Sequence, residues 1–198
     1  HASLRNTAQL TMDMAVPMDD AVKLRSQLID EWAPDLRPTY TDLVLVAAAK
    51  ALRRNPLMNA RFTEDGIVIS NEINLGLAVA LEEGLVVPVI RGADEQDLKT
   101  IAQESARLAA AARAGQLTMD DFAGGTFTVT SLGMYEVDSF TPILNEPQAG
   151  ILGVNRLKEA VAFVDDRPVR QMQMTLSLTW DHRVLDGAPA AEFLRTVR

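Results

Sequence analysis

The sequence predicts a mixed α/β domain, a two-layer fold in which a mixed β-sheet carries packed helices, and three observations lead there. Met172, Met174, Leu176, Leu178 and Trp180 alternate with Gln173, Thr175, Ser177 and Thr179, the period of two expected for a strand with one covered face. Ala8, Leu10, Met12, Met14 and Val16 repeat that period near the other end of the chain. Between them, Leu98, Ile101, Ser105, Leu108 and Ala112 recur at the spacing of a single helix face. Both periods in one chain call for a sheet and helices around a shared core. With 198 residues, 47% of them hydrophobic, there is enough chain for one such core, and 1–198 is read as a single domain.

In order, Pro17 closes the first strand and Asp19 is placed to cap a helix whose Ala21, Leu24, Leu28 and Trp32 share a face. Pro34 and Pro38 stop that helix. A second helix over about 42–54 is expected to bury Leu43, Val46, Ala47 and Ala51. Residues 60–70 read as a hairpin turning at Glu64-Asp65-Gly66. The apolar runs 74–81 and 85–90, joined by Glu82-Glu83-Gly84, read as deep strands covered on both faces. The long helix spans about 97–114, with Gly115 as its stop. A Thr-rich strand at 126–130, an irregular stretch at 133–147 and an apolar strand at 150–154 lead into the final strand.

Composition removes several function classes. Lys and Arg number 19 against 27 Asp and Glu, a net charge of -8, so no nucleic-acid partner is expected of this surface. No apolar run reaches the roughly 18 residues of a spanning helix, and no signal peptide opens the chain, so a soluble protein with no membrane partner is expected. The absence of Cys excludes disulfides, cysteine nucleophiles and thiolate metal sites, and it suits a cytoplasmic location. Of the two His, His1 is terminal, which leaves His182 as the histidine for chemistry near neutral pH and too few ligands for a metal site.

Extending the alternation past Trp180 puts His182 on the apolar side of the strand end, where desolvation favours the neutral imidazole that accepts a proton. The bland alternative is a core histidine satisfied by backbone groups. The segment Asp181-His182-Arg183-Val184-Leu185-Asp186-Gly187 resembles the DHRxxDG signature of the dihydrolipoamide acyltransferases, the E2 components of 2-oxo acid dehydrogenase complexes. Residues 124–133 (GGTFTVTSLG) and 147–154 (PQAGILGV) are similar to that family's GGTFTxSNLG and PPQxxILxVG blocks, and 84–91 to its GLVVPVIR strand. The four blocks occur in order between residues 74 and 198, and the N-terminal third fits more loosely.

The resemblance implies a chloramphenicol acetyltransferase-like fold and acyl transfer, with acetyl preferred, between dihydrolipoyl and coenzyme A. His182 matches the general base that takes the proton of the attacking thiol. Thr130 matches the hydroxyl, usually Ser in the family, that stabilises the tetrahedral oxyanion; Ser131 is a weaker candidate because alternation points it to the opposite face. Thr126, Thr128 and Thr130 also read simply as a polar strand face. Asp186 matches the family's Asp or Asn that supports the site, and it is also well placed to cap the last helix, whose apolar positions are Ala191, Phe193, Leu194 and Val197. Asp181 and Arg183 read as a structural ion pair.

The same resemblance implies a homotrimer with the site between subunits, further assembly into a cubic or dodecahedral core, and E1 and E3 components as partners. Coenzyme A and lipoyl enter as substrates, the lipoyl carried on a domain not contained in this chain. Glu136, Glu146 and the Thr130-Ser131 pair depart from the family pattern. Two competing readings are a non-catalytic assembly core and a Ser-His-Asp hydrolase. An intact DHRxxDG segment speaks against the first, the lack of a G-x-S-x-G elbow against the second.

Overall fold

The computed structural model describes residues 2–198, so His1 lies outside the described residues. In chain order the elements are α1 (Ala2–Asn6), β1 (Gln9–Pro17), α2 (Asp19–Trp32), α3 (Tyr40–Arg54), β2 (Ala60–Thr63), β3 (Gly66–Ile69), β4 (Leu75–Leu77), β5 (Val79–Leu81), β6 (Gly84–Val86), β7 (Val89–Ile90), α4 (Leu98–Arg113), β8 (Phe127–Ser131), β9 (Gly150–Val164), β10 (Arg167–Asp181) and α5 (Gly187–Val197). Six strands form one sheet in the order β1-β10-β9-β8-β4-β7, while β2-β3 and β5-β6 are separate hairpins. The sheet is mixed, as predicted: β8 runs parallel to β9 and β4, and the remaining pairings are antiparallel.

Alternation sends Phe127, Val129, Leu152, Leu176, Leu178 and Trp180 to one face, each at most 2% exposed. Helices cover that face, and the rings of Phe127 and Phe193 of α5 meet at 5.5 Å. Each such side chain contributes about 1.5–3 kcal/mol through burial. The opposite face carries Thr128, Thr130, Gly153, Asn155, Ser177 and Thr179, polar as the alternation requires. Unlike an ordinary polar face it is largely covered, because the irregular 133–147 segment crosses it. Phe140 sits so close to Gly153 that a Cβ there would approach the ring to 2.9 Å. The buried polar groups pair with one another: Thr128 donates to Gln148 at 2.6 Å, Asn155 to Ser177 at 2.9 Å, and the Thr11 and Thr179 hydroxyls lie 2.6 Å apart.

Gly150 opens β9 beneath this packing, where an added Cβ would lie 2.6 Å from both the Met58 sulfur and the Phe127 ring. Gly150→Ala is therefore expected to destabilise the fold by about 1–3 kcal/mol, the typical cost of overpacking. Urea unfolding reads this directly; an unchanged midpoint would mean that Met58 and Phe127 move aside without cost.

Several elements differ from expectation. Asp19 does not cap α2: Met18 is the N-cap, and Asp19 accepts instead from the Met172 backbone N–H at 3.2 Å. Met18 N–H is itself bonded to Met172 C=O at 2.7 Å, so pairing with β10 continues up to the residue before the helix. Helix α3 starts at Tyr40 behind a Thr39–Asp42 capping box and buries Val44, Leu45, Ala48, Ala49, Ala51 and Leu52. Of its four expected core positions only Ala51 is fully buried, because α3 packs against both α4 and α5 and its covered stripe is displaced. The two apolar runs are deep only in part. β4 and β7 join the main sheet, whereas β5-β6 projects from it with Leu85 60% exposed. Pro88, lacking an N–H, lies between the two halves of the second run. Strands β9 and β10 extend well beyond the expected 150–154 and 172–180, forming a long ribbon that turns at Asp165-Asp166, both with positive φ.

Candidate active site

His182 follows the last residue of β10, in a turn that leads to α5. Its ring lies 6.1 Å from that of Trp180, on the side that alternation assigned. The expected desolvation is not supplied by this chain, for the side chain is 38% exposed. β1 begins at Gln9 opposite Asp181, so no strand covers residue 182, and the histidine borders an open depression with Thr7, Ala8 and Leu10.

The Nδ1 of His182 is 3.6 Å from Oδ1 of Asp186. Asp186 holds the N-cap position of α5, yet its side chain makes no capping hydrogen bond and is 84% exposed. The third residue of the helix is Pro189, which has no N–H to offer a cap. Capping thus does not account for this side chain, and the His182 imidazole is the ionisable group beside it. A carboxylate beside Nδ1 favours the tautomer protonated there and leaves Nε2 as the proton acceptor.

Asp181 and Arg183 flank the histidine and are bonded to each other through both carboxylate oxygens, the Nη2–Oδ2 contact being 2.5 Å. Burial raises the Asp181 pKa, but bonds from the Arg183 guanidinium and from the Arg183 and Ala8 N–H groups outweigh it, so the carboxyl lies below its ordinary value. The ion pair expected between these two residues is present, and its carboxylate also accepts from the Ala8 N–H of the neighbouring segment.

Thr130 lies near the C-terminal end of β8, on the wall of a cavity of about 820 Å³ that also touches Tyr40, Ala109, Arg113 and Tyr135. Ser131 borders the same cavity, so strand alternation does not separate the two hydroxyls as expected. Thr130 and His182 are not brought together within the chain. Thr130 pairs with Gly153, Gly153 pairs with Ser177, and β10 then runs five residues away to His182. Strand geometry makes the separation on the order of 20 Å. Among the described residues, no group of three or more His, Cys, Asp or Glu could hold a metal ion, and no helix is long and apolar enough to cross a membrane.

This fold is shared with a chloramphenicol acetyltransferase at a TM-score of 0.64, with 16% identity over 96% of this chain and 87% of that one, a likeness of fold alone. The model of the 2-oxoacid dehydrogenases acyltransferase (catalytic domain) family matches residues 1–198, and the chain belongs to that family. It is 40% identical, over 99% of its length and 50% of the relative's, to the dihydrolipoyllysine-residue acetyltransferase component of the acetoin cleaving system of Bacillus subtilis (strain 168). It is 39% identical, over 98% of its length and 48% of the relative's, to the dihydrolipoyllysine-residue succinyltransferase component of the 2-oxoglutarate dehydrogenase complex of Bartonella vinsonii subsp. berkhoffii. The chain spans about half the length of these curated relatives. Two solved structures each give a TM-score of 0.96 and cover 100% of this chain and 82% of theirs. One, 32% identical, is the cubic core of a pyruvate dehydrogenase multienzyme complex. The other, 31% identical, is a dihydrolipoamide acetyltransferase of Azotobacter vinelandii, investigated for the role of a serine, a histidine and an asparagine in its catalytic mechanism.

Proposed function

We propose that this chain transfers an acyl group, acetyl in preference, between a dihydrolipoyl thiol and coenzyme A, with His182 as general base, Thr130 as oxyanion donor and Asp186 supporting the imidazole. The observation that carries the assignment is one of spacing. In the Azotobacter vinelandii acetyltransferase the serine precedes the histidine by 52 positions and the asparagine follows by four, the same intervals that separate Thr130, His182 and Asp186. The 3.6 Å approach of Asp186 to Nδ1 supports the same assignment, since it leaves Nε2 to accept a proton.

Chemically, Nε2 takes the proton of the coenzyme A thiol, a group mostly protonated at neutral pH. The thiolate attacks the thioester carbonyl of acyl-dihydrolipoyl, and a C–S bond forms as the carbonyl oxygen becomes an oxyanion. A hydrogen bond from the Thr130 hydroxyl to that oxygen is worth about 2.7–4 kcal/mol by comparison with donors removed from other enzymes. Collapse breaks the bond to lipoyl sulfur, which recovers the proton from the imidazolium.

A separation on the order of 20 Å, as strand spacing gives it, is too long for both groups of one chain to reach one reacting atom as they stand. The reading therefore includes a trimer in which His182 of one copy faces Thr130 of the next, a supply of apolar surface around His182 from that neighbour, and further assembly into a larger core. The E1 and E3 components and a lipoyl domain are the partners it requires, and a cytoplasmic location accompanies it. The family comparison includes both acetyl- and succinyltransferases, so the acyl group is the finer part of the proposal. Assay of acetyl, propionyl, succinyl and branched acyl coenzyme A with free dihydrolipoamide tests it. Acetyl is expected to give the highest kcat/KM; a succinyl optimum would replace the acyl assignment, and no transfer by the assembled protein would end the enzymatic one.

A further inference from the structure

We propose that Arg183 is a positioning residue for His182, acting through the Asp181 carboxylate. The inference rests on the reading of His182 as the base. Its ground is the way the histidine backbone is held. His182 N–H donates to Ala8 C=O at 2.8 Å, and Asp181 Oδ1 accepts from Ala8 N–H at 3.3 Å, so residues 181 and 182 together clasp Ala8 ahead of β1. The same Oδ1 accepts from the Arg183 backbone N–H at 3.1 Å, which closes the turn on the far side of the histidine. One carboxylate oxygen thus holds both the Ala8 peptide that pairs with His182 and the peptide that follows the histidine.

That carboxylate is only 4% exposed, and a buried charge held by backbone N–H groups keeps its place only when it is compensated. Arg183 supplies the compensation in a forked geometry, with Nε 3.0 Å from both oxygens and Nη2 2.5 Å from Oδ2. The guanidinium is held in turn over the Phe62 ring of β2, its carbon 4.3 Å from the centroid. Glu146 adds a further negative charge near Arg183. A flat, forked cation fits both the carboxylate and the ring, and a lysine ammonium reproduces the charge without the fork. Without the guanidinium, Asp181 would take up a proton or turn to solvent, releasing the Ala8 and Arg183 N–H groups and freeing the backbone that aims the imidazole.

The test uses the assembled, full-length protein with Arg183→Met, Arg183→Lys, His182→Ala and the double variants. Arg183→Met is expected to lower kcat about a hundredfold with KM for either substrate changed by less than about threefold, the consequence of a misplacement of roughly 1 Å at the base. Arg183→Lys should lie between it and the parent. In the His182→Ala background, Arg183→Met should cause no further loss, because the group it positions is gone. A purely structural role would reduce activity by the same factor in both backgrounds, and that result overturns the proposal. So does an Arg183→Met enzyme with parental kcat, or, if that variant does not assemble, an Arg183→Lys enzyme with parental kcat. Full activity in His182→Ala alone would defeat the base assignment itself, a separate and recognisable failure.

Discussion

His182→Ala is expected to lower acyl transfer by about 10²–10⁴-fold, the range for removal of a positioned general base. The fold should survive, because the imidazole is 38% exposed and its ring stands 6.1 Å from that of Trp180 at the edge of an open depression. The bond from residue 182 to Ala8 is a backbone one and is kept by alanine. Asp186 cannot take over: its carboxylate is 84% exposed and directed to solvent, with only the His182 imidazole beside it. The remaining neighbours, Asp181 and Arg183, are committed to each other. The measurement is kcat with acetyl coenzyme A and dihydrolipoamide, beside a thermal melt. A parental melt with activity within tenfold of the parent would mean that the thiol loses its proton elsewhere, and the assignment of Nε2 would have to be given up.

Much of this arrangement was legible in the sequence, for reasons that differ from part to part. The alternation through Met172–Trp180 located a strand and the side of the sheet on which His182 emerges, because strand geometry leaves only two choices. It could not report the exposure of His182, which depends on where β1 begins on the neighbouring strand. The period also marked Thr128, Ser177 and Thr179 as a polar face, yet these are buried, since the cover comes from Phe140 and Gln148 in a segment with no periodicity to read. The outer halves of β9 and β10 are not legible because Val161, Phe163 and Val164 are exposed on this ribbon while Ala160 and Ala162 are half-buried, so hydrophobicity there does not report the covered side. The motif blocks supplied Thr130, His182 and Asp186 as candidates. That Thr130 and His182 lie toward opposite ends of the sheet follows from the β8-β9-β10 register, a non-local property of the fold.

That register leads to the second large effect, a gain of activity from two defective proteins. Thr130→Ala is expected to cost about 10²–10³-fold in kcat, as for a lost oxyanion donor, and His182→Ala at least as much. If each site joins His182 of one copy to Thr130 of the next around a closed ring, a subunit with an intact histidine can meet a neighbour with an intact threonine. Every mixed trimer then contains one interface free of both substitutions. Unfolding the two variants together in equal amounts and refolding them should restore about a quarter of the parental activity, the share of intact interfaces expected from random assembly into rings of three. Each variant refolded alone should remain at its own low level. The comparison separates the inter-subunit site from any arrangement within one chain: if a loop movement could close the gap, both groups would still have to come from the same copy, and mixing would restore nothing. Activity that rises on mixing and saturates near that fraction requires both the separation seen in the fold and its completion by a second copy; activity that stays at the average of the two variants would exclude the trimeric site while leaving the fold untouched.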